Sequence, residues 1–173
     1  MRPLSSKIFV LVCCVLLAQP GSVLAKSGNS FADRILKVHN KERQSAGVPP
    51  LTWSDSLAEE AAAWAEHMAD AGTTVHSTQR QRNDHGESLW MGPAGLFSIE
   101  VILSTFLAEK KNFKPGTFPD ISKTGRWQDS GHYAQVIWPT TTEVGCAMVQ
   151  RDGKDYLACR YSPASNFIGQ PVG

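Results

Sequence analysis

The sequence predicts an α+β domain. Three runs with helical spacing fill the first two thirds of the chain, two strand-like runs flank Asp152-Gly153 in the last third, and an apolar leader precedes them all.

The leader sets the accounting for the rest. Arg2 and Lys7 give a positive start, Ile8 to Leu17 is an unbroken apolar run, and Val23 and Ala25 stand where signal peptidase accepts small residues. The run is too short to span a bilayer, so residues 1–25 read as a secretory signal peptide and not as an anchor. Cys13 and Cys14 sit mid-run behind Val12, which is too large for a lipobox. Residues 26–30 form a short lead-in, and 31–173 a single domain. Taking Arg2 and Lys7 from the 17 basic residues leaves 15 against 16 acidic ones, a formal charge of −1. No basic excess remains for nucleic acid. Of four cysteines only Cys146 and Cys159 remain, which excludes a cysteine-rich scaffold. The expected product is a single exported domain without a transmembrane segment, secreted or extracellular, or periplasmic if the source is a Gram-negative bacterium.

The first helix starts at Ser30, where Asp33 three residues on completes a capping box; Phe31, Ile35 and Val38 recur at helical spacing until Gly47. Pro49-Pro50 forbids continuation. The second helix runs from Ser54 to Gly72, with Leu57, Ala61, Trp64, Ala65 and Met68 as its buried stripe and Glu59, Glu60 and Glu66 left to solvent. Thr73 to Leu89 has no usable period and is expected to be loop. A third helix is expected over Leu96 to Asn112, after the break at Pro93 to Gly95. Asn112 to Ser130 is a long loop carrying Phe113, Phe118 and Trp127. Glu143 to Arg151 and Lys154 to Ser162 then form a hairpin on Asp152-Gly153. Counting outward from Arg151 opposite Lys154 sets Cys146 opposite Cys159 at a non-hydrogen-bonded position, where Cα atoms approach to about 4.5 Å. Export and geometry agree on a cross-strand disulfide; two free buried thiols are the alternative.

Ile102, Phe106, Glu109 and Phe113 follow 4, 3, 4 spacing, which sets Glu109 on the apolar stripe of the third helix. A carboxylate there must be paired, metal-bound or protonated, unless the helix turns enough for it to reach solvent. His39 and His67 lie within helices and read as structural or surface residues; His76, His85 and His132 lie in or beside loops, where sites are commoner. No HExxH helix, GxSxG elbow, phosphate-binding glycine loop or CxxC pair is present.

GHYAQVIW at Gly131 to Trp138 resembles the first signature of the CAP superfamily, which unites cysteine-rich secretory proteins, antigen 5 and plant pathogenesis-related proteins of group one. YLACRYSPASNFIGQ at Tyr156 to Gln170 resembles the second, and HNKERQSAGVPPLTW, LAEEAAAWA and GES at Gly86 to Ser88 resemble earlier family segments. The likeness runs from about Phe31 to Gln170. It implies a three-layer α-β-α sandwich with a mostly antiparallel central sheet, and a cleft lined by His76, Glu87, Glu109 and His132. Such a tetrad could hold Zn2+ or another divalent cation on His76 and His132, with Glu87 and Glu109 as ligands or as groups orienting the imidazoles. Without metal its His–Glu pairs could act as acid and base. In several relatives the loop after the third helix binds sterols or other lipids, which makes Phe113, Phe118 and Trp127 candidates for contact with a sterol or fatty acid. The expected function is therefore an exported binding module for a divalent metal, a lipid or both, monomeric or weakly dimeric, in defence or host interaction. A metal-dependent hydrolase using the same tetrad is the rival, and no nucleophile is evident for it. Two departures stand out: Ser165-Asn166 replaces the family's usual glycine–asparagine, and the segment between Glu109 and His132 is long and rich in lysine.

Overall fold

The computed structural model describes residues 30–173. The expected signal peptide and residues 26–29 of the lead-in lie outside them.

The chain order is α1 (Phe31–Ser45), β1 (Thr52–Trp53), α2 (Asp55–Ala71), β2 (Gly86–Pro93), α3 (Ile99–Leu107), β3 (Gly116–Thr117), α4 (Gly131–Ile137), β4 (Glu143–Arg151), β5 (Lys154–Ser162) and β6 (Pro171–Val172). Helix α1 starts in the capping box read from the sequence: the Ser30 hydroxyl accepts from the Asp33 amide and the Asp33 carboxylate accepts from the Ser30 amide. Helix α2 is capped by Ser54 and stopped by Gly72 in the left-handed conformation.

Four strands form the main sheet in the order β1-β4-β5-β2, parallel only between β1 and β4. Strand alternation then builds two cores. Tyr156 and Ala158 of β5 join Leu89 beneath Ala61, Trp64, Ala65 and Met68 of α2. Leu157, Cys159 and Tyr161 face the other way, with Val144 and Cys146, against Ile35 of α1 and Ile102, Leu103 and Phe106 of α3. The result is the three-layer sandwich. Helix α2 lies close on β4 because position 145 is glycine: a Cβ there would fall 2.2 Å from the Ala58 backbone nitrogen. Cys146 pairs with Cys159 across β4–β5 in the expected register and forms the disulfide, Cα atoms 4.1 Å apart.

The structure departs from expectation in four places. The buried positions of α1 are Ile35, His39 and Arg43, a stripe that is two-thirds polar. Burial lowers the His39 pKa to about 4, so its ring is a neutral core group between the Ile35 carbonyl and the Tyr161 hydroxyl. Strand β2 occupies the end of the stretch expected to be loop; both of its faces are covered, at Ser88 and at Leu89, so no alternation betrays it. Helix α3 starts only at Ile99, capped by Ser98, and its last turn tightens to a 3-10 turn at Ala108–Lys111. The Asn112 to Ser130 segment is folded: β3 pairs with β6, Phe113 bridges to Ser122, and Phe113, Phe118 and Ile121 pack against Tyr133, Ile137 and Trp138.

Candidate functional site

Glu87 stands on β2 directly opposite Arg160 of β5, both buried under α2. The Arg160 guanidinium donates to Glu87 Oε2 and, at 3.0 Å, to the Ser77 hydroxyl, and it lies over the Trp64 ring. The Ser77 amide and hydroxyl donate to the same carboxylate at 3.0 and 2.8 Å. That anchor holds the turn after α2 and brings His76 Nδ1 to 2.5 Å from Glu87 Oε1. Burial raises the Glu87 pKa, but the bonds from His76 and Ser77 and the charge of Arg160 outweigh it and leave the carboxyl below its ordinary range.

The second pair is built on helix ends. Glu109 lies in the 3-10 turn after α3 and accepts from the first amides of α4, His132 at 2.8 Å and Tyr133 at 3.3 Å, while its other oxygen meets His132 Nδ1 at 2.7 Å. The His132 ring stacks on Phe106, centroids 4.6 Å apart. The carboxylate set on an apolar stripe by spacing is thus paired, as its placement requires.

A third pair was not foreseen. His85 Nδ1 lies 2.9 Å from Glu60 Oε2, and Asn83 donates to the other Glu60 oxygen. Those bonds outweigh burial and lower the Glu60 pKa, although helical spacing had left this residue to solvent. The available signal was its place one turn before Trp64 on α2.

His76, His85, Glu87 and His132 line one cleft of about 760 Å³, with Gln135 from the next turn of α4. Glu109 holds His132 from behind and is not itself among the lining residues. In each pair Nδ1 faces the carboxylate, which leaves Nε2 as the free ring nitrogen, the arrangement by which carboxylates orient metal-binding imidazoles. Among the described residues no group of three or more His, Cys, Asp or Glu side chains is placed to hold a metal ion. His76 and His132 by themselves would offer a cation two protein ligands, fewer than the three or four of ordinary zinc sites.

The apolar lining comes from Phe118, Trp127, Phe167 and Ile168. Of the three aromatics singled out in the sequence, Phe118 and Trp127 reach the cleft edge to face, centroids 5.2 Å apart. Phe113 does not: it is buried against Tyr133. Phe167 and Ile168 belong to the second signature and went unnoticed because two apolar residues in a loop carry no period. Two lysines of the segment are ion-paired, Lys110 with Glu42 and Lys114 with Asp120. At the departure from the family pattern, Ser165 donates to Gln135 Oε1 at 2.6 Å, and Asn166 takes the left-handed backbone conformation itself, at φ 59°.

Residues 36–161 match the model of the cysteine-rich secretory protein family, CAP. The chain belongs to the CAP family. It is 32% identical to pathogenesis-related protein 1A of Nicotiana tabacum over 163 residues, 94% of this chain and 92% of that one. It is 28% identical to the human Golgi-associated plant pathogenesis-related protein 1, over 83% of this chain and 90% of the relative. The CAP fold is shared with NaASP2, solved with Zn2+, at a TM-score of 0.66 and 20% identity, covering 81% of this chain and 83% of that one.

Proposed function

We propose that this CAP protein is exported and binds a small amphiphile of sterol or fatty-acid type, its polar end among the histidine–glutamate pairs and its apolar body along Phe118, Trp127 and Phe167. One observation carries this reading: a single cleft of ligand size has both an apolar lining and convergent polar groups. The leader pattern, the disulfide and the family's secretory character support export. Its likeness to pathogenesis-related proteins supports a role in defence or host interaction. Trp127 is the residue to test, because it lines the cleft yet is exposed. Trp127→Ala should lower the unfolding midpoint modestly, through the lost packing on Phe118, leave the domain folded at room temperature, and cut sterol retention about tenfold, a loss matched to the side chain's apolar area; unchanged retention overturns the lipid reading.

A second reading is a divalent cation such as Zn2+ between His76 and His132, supported by the carboxylate at each Nδ1 and by the Zn2+ of NaASP2. With two imidazoles supplied by the protein, solvent or ligand oxygen would complete the coordination, and affinity would be modest. A hydrolase acting through His76, Glu87, Glu109 and His132 would need this ion or a nucleophile from elsewhere. Calorimetry with Zn2+ decides it: heat that disappears in both His76→Ala and His132→Ala supports the site, and no heat from the native protein removes it.

A further inference from the structure

The most exposed large apolar side chains of the cleft are held out by design of the backbone. Gln170 N–H donates to the Phe167 carbonyl at 3.1 Å, closing a four-residue turn whose third residue, Gly169, has φ 84° as such turns require. The turn is anchored on both sides of Phe118: the Phe118 amide donates to the Gln170 carbonyl and the Gly169 amide donates to the Phe118 carbonyl, each at 2.9 Å. Ile168, at the second position of this anchored turn, is 84% exposed, with Phe167 and Trp127 also exposed beside it in the lining of the same cleft. Isoleucine on a fixed turn gains nothing from water. An indole ring suits a membrane–water boundary, with its apolar body in and its N–H out.

Charge at the mouth fits the same partner. Lys123 and Arg126 precede Trp127 on its loop, and the 3-10 turn at Arg80–Arg82, which also reaches the cleft, adds two arginines. The carboxylates nearby are Asp84, Glu87, Asp120 and Asp129: Glu87 is balanced by the buried Arg160, Asp120 by Lys114 of the same segment, and Asp129 is engaged by Thr124 and, at 3.9 Å, by Arg126. With Glu87 and Asp120 each matched by a cation of its own, Arg80, Arg82, Lys123 and Arg126 stand against Asp84 and Asp129, an excess that favours a negatively charged surface although the whole domain is close to neutral.

We propose that the mouth of the cleft docks on an anionic lipid bilayer, with Ile168, Phe167 and Trp127 inserted at the interface, so that an apolar ligand passes between membrane and cleft without crossing water. This extends the amphiphile reading of the same cleft, and its test separates the two. The purified protein is floated with vesicles of phosphatidylcholine alone and of equimolar phosphatidylcholine and phosphatidylserine, and sterol binding is measured separately from detergent micelles. The native protein should float with the mixed vesicles, less so with phosphatidylcholine alone, and less at high salt. Ile168→Asp should weaken flotation about tenfold or more, and Lys123→Glu, at a position outside the cleft lining, should weaken flotation on the mixed vesicles while leaving micellar sterol binding intact. Leu96→Asp is the control: Leu96 is 65% exposed but does not line the cleft, and its change should have no effect. Native protein that does not float, Ile168→Asp protein that floats like native, or equal loss in Leu96→Asp overturns the docking surface, even if sterol binds. So does an Ile168-dependent dimer that ignores vesicles, which would make the rim a contact between copies. Ile168-dependent flotation without any sterol binding leaves the docking surface standing and removes the amphiphile reading.

Discussion

Two of the three histidine–glutamate pairs at the cleft, His76–Glu87 and His132–Glu109, carry the same atoms in the same mutual arrangement, yet they are supported by opposite means. Glu87 is 2% exposed and is held by a buried arginine and a serine; its histidine is open to solvent. Glu109 is 20% exposed, has no arginine partner among the described residues, and is held by the first amides of a helix; its histidine is stacked on Phe106. In the first pair the carboxylate is the fixed member and the imidazole the free one. In the second the fixing is shared, with a ring stack doing for His132 what an ion pair does for Glu87. These two pairs therefore present one solvent-open and one stacked imidazole to the cleft, held by unlike neighbours.

The sharpest way to break this comparison is to remove the arginine. Arg160→Met should destabilise the domain by about 3–5 kcal/mol, because Glu87 is then a buried charge without its partner. Glu109→Gln should cost only about 1–2 kcal/mol, through weakened bonds to the α4 amides. Urea unfolding of the two variants reads the difference directly, and equal losses would mean that the two pairs are held alike. Reduction comes next in size. Cys159 adjoins Arg160 on β5, and opening a loop of this length should cost about 3 kcal/mol, with a mass gain of about 2 Da. Hydrogen exchange after reduction should rise first in β4 and β5, beneath Glu87, and last in α4, beneath His132; the reverse order would count against the asymmetry.

The smallest effect is on acid stability. The Glu87 pKa is lowered in the folded state, so its ionisation favours the fold above the unfolded value, near 4.3, and that contribution is lost as pH falls through the folded value. Unfolding free energy should therefore drop more steeply below about pH 5 in the native protein than in Glu87→Gln, whose curve lacks this contribution. Parallel curves would show that burial cancels the His76, Arg160 and Ser77 contacts, and a shallower native curve that burial governs the group.

Local chemistry made much of the fold legible. Ser30, Asp33, Ser54 and Gly72 mark helix ends because caps and stops are written within four residues, and Asp152-Gly153 fixes a register that carries Cys146 to Cys159. Glu109 was legible as an anomaly, since a charge on an apolar stripe requires an explanation. The rest depends on partners distant in sequence. Strand β2 exists because β5 covers one edge of it and helices cover both faces. Glu60 meets His85 across 25 positions. Arg160 offered a signal that went unused: an arginine inside the run Tyr156 to Tyr161, on the face pointing to α2, has to find a carboxylate.

Helix α4 has seven residues, too few to stand alone in water, yet it carries His132 and Gln135 into the cleft. At its start the Glu109 carboxylate takes the first amides. At its end the Arg43 guanidinium, wholly buried, donates to the carbonyls of Val136 and Trp138 at 2.9 and 3.0 Å, and to Thr141 and Pro49 beyond. Burial lowers the Arg43 pKa only to about 10, so it remains a cation at neutral pH. A short dipole is thereby suspended between a fixed anion at its positive end and a fixed cation at its negative end. At each terminus two of the groups that would otherwise need water have protein partners, which lessens the helix's dependence on solvent where it borders a cleft open to an apolar guest.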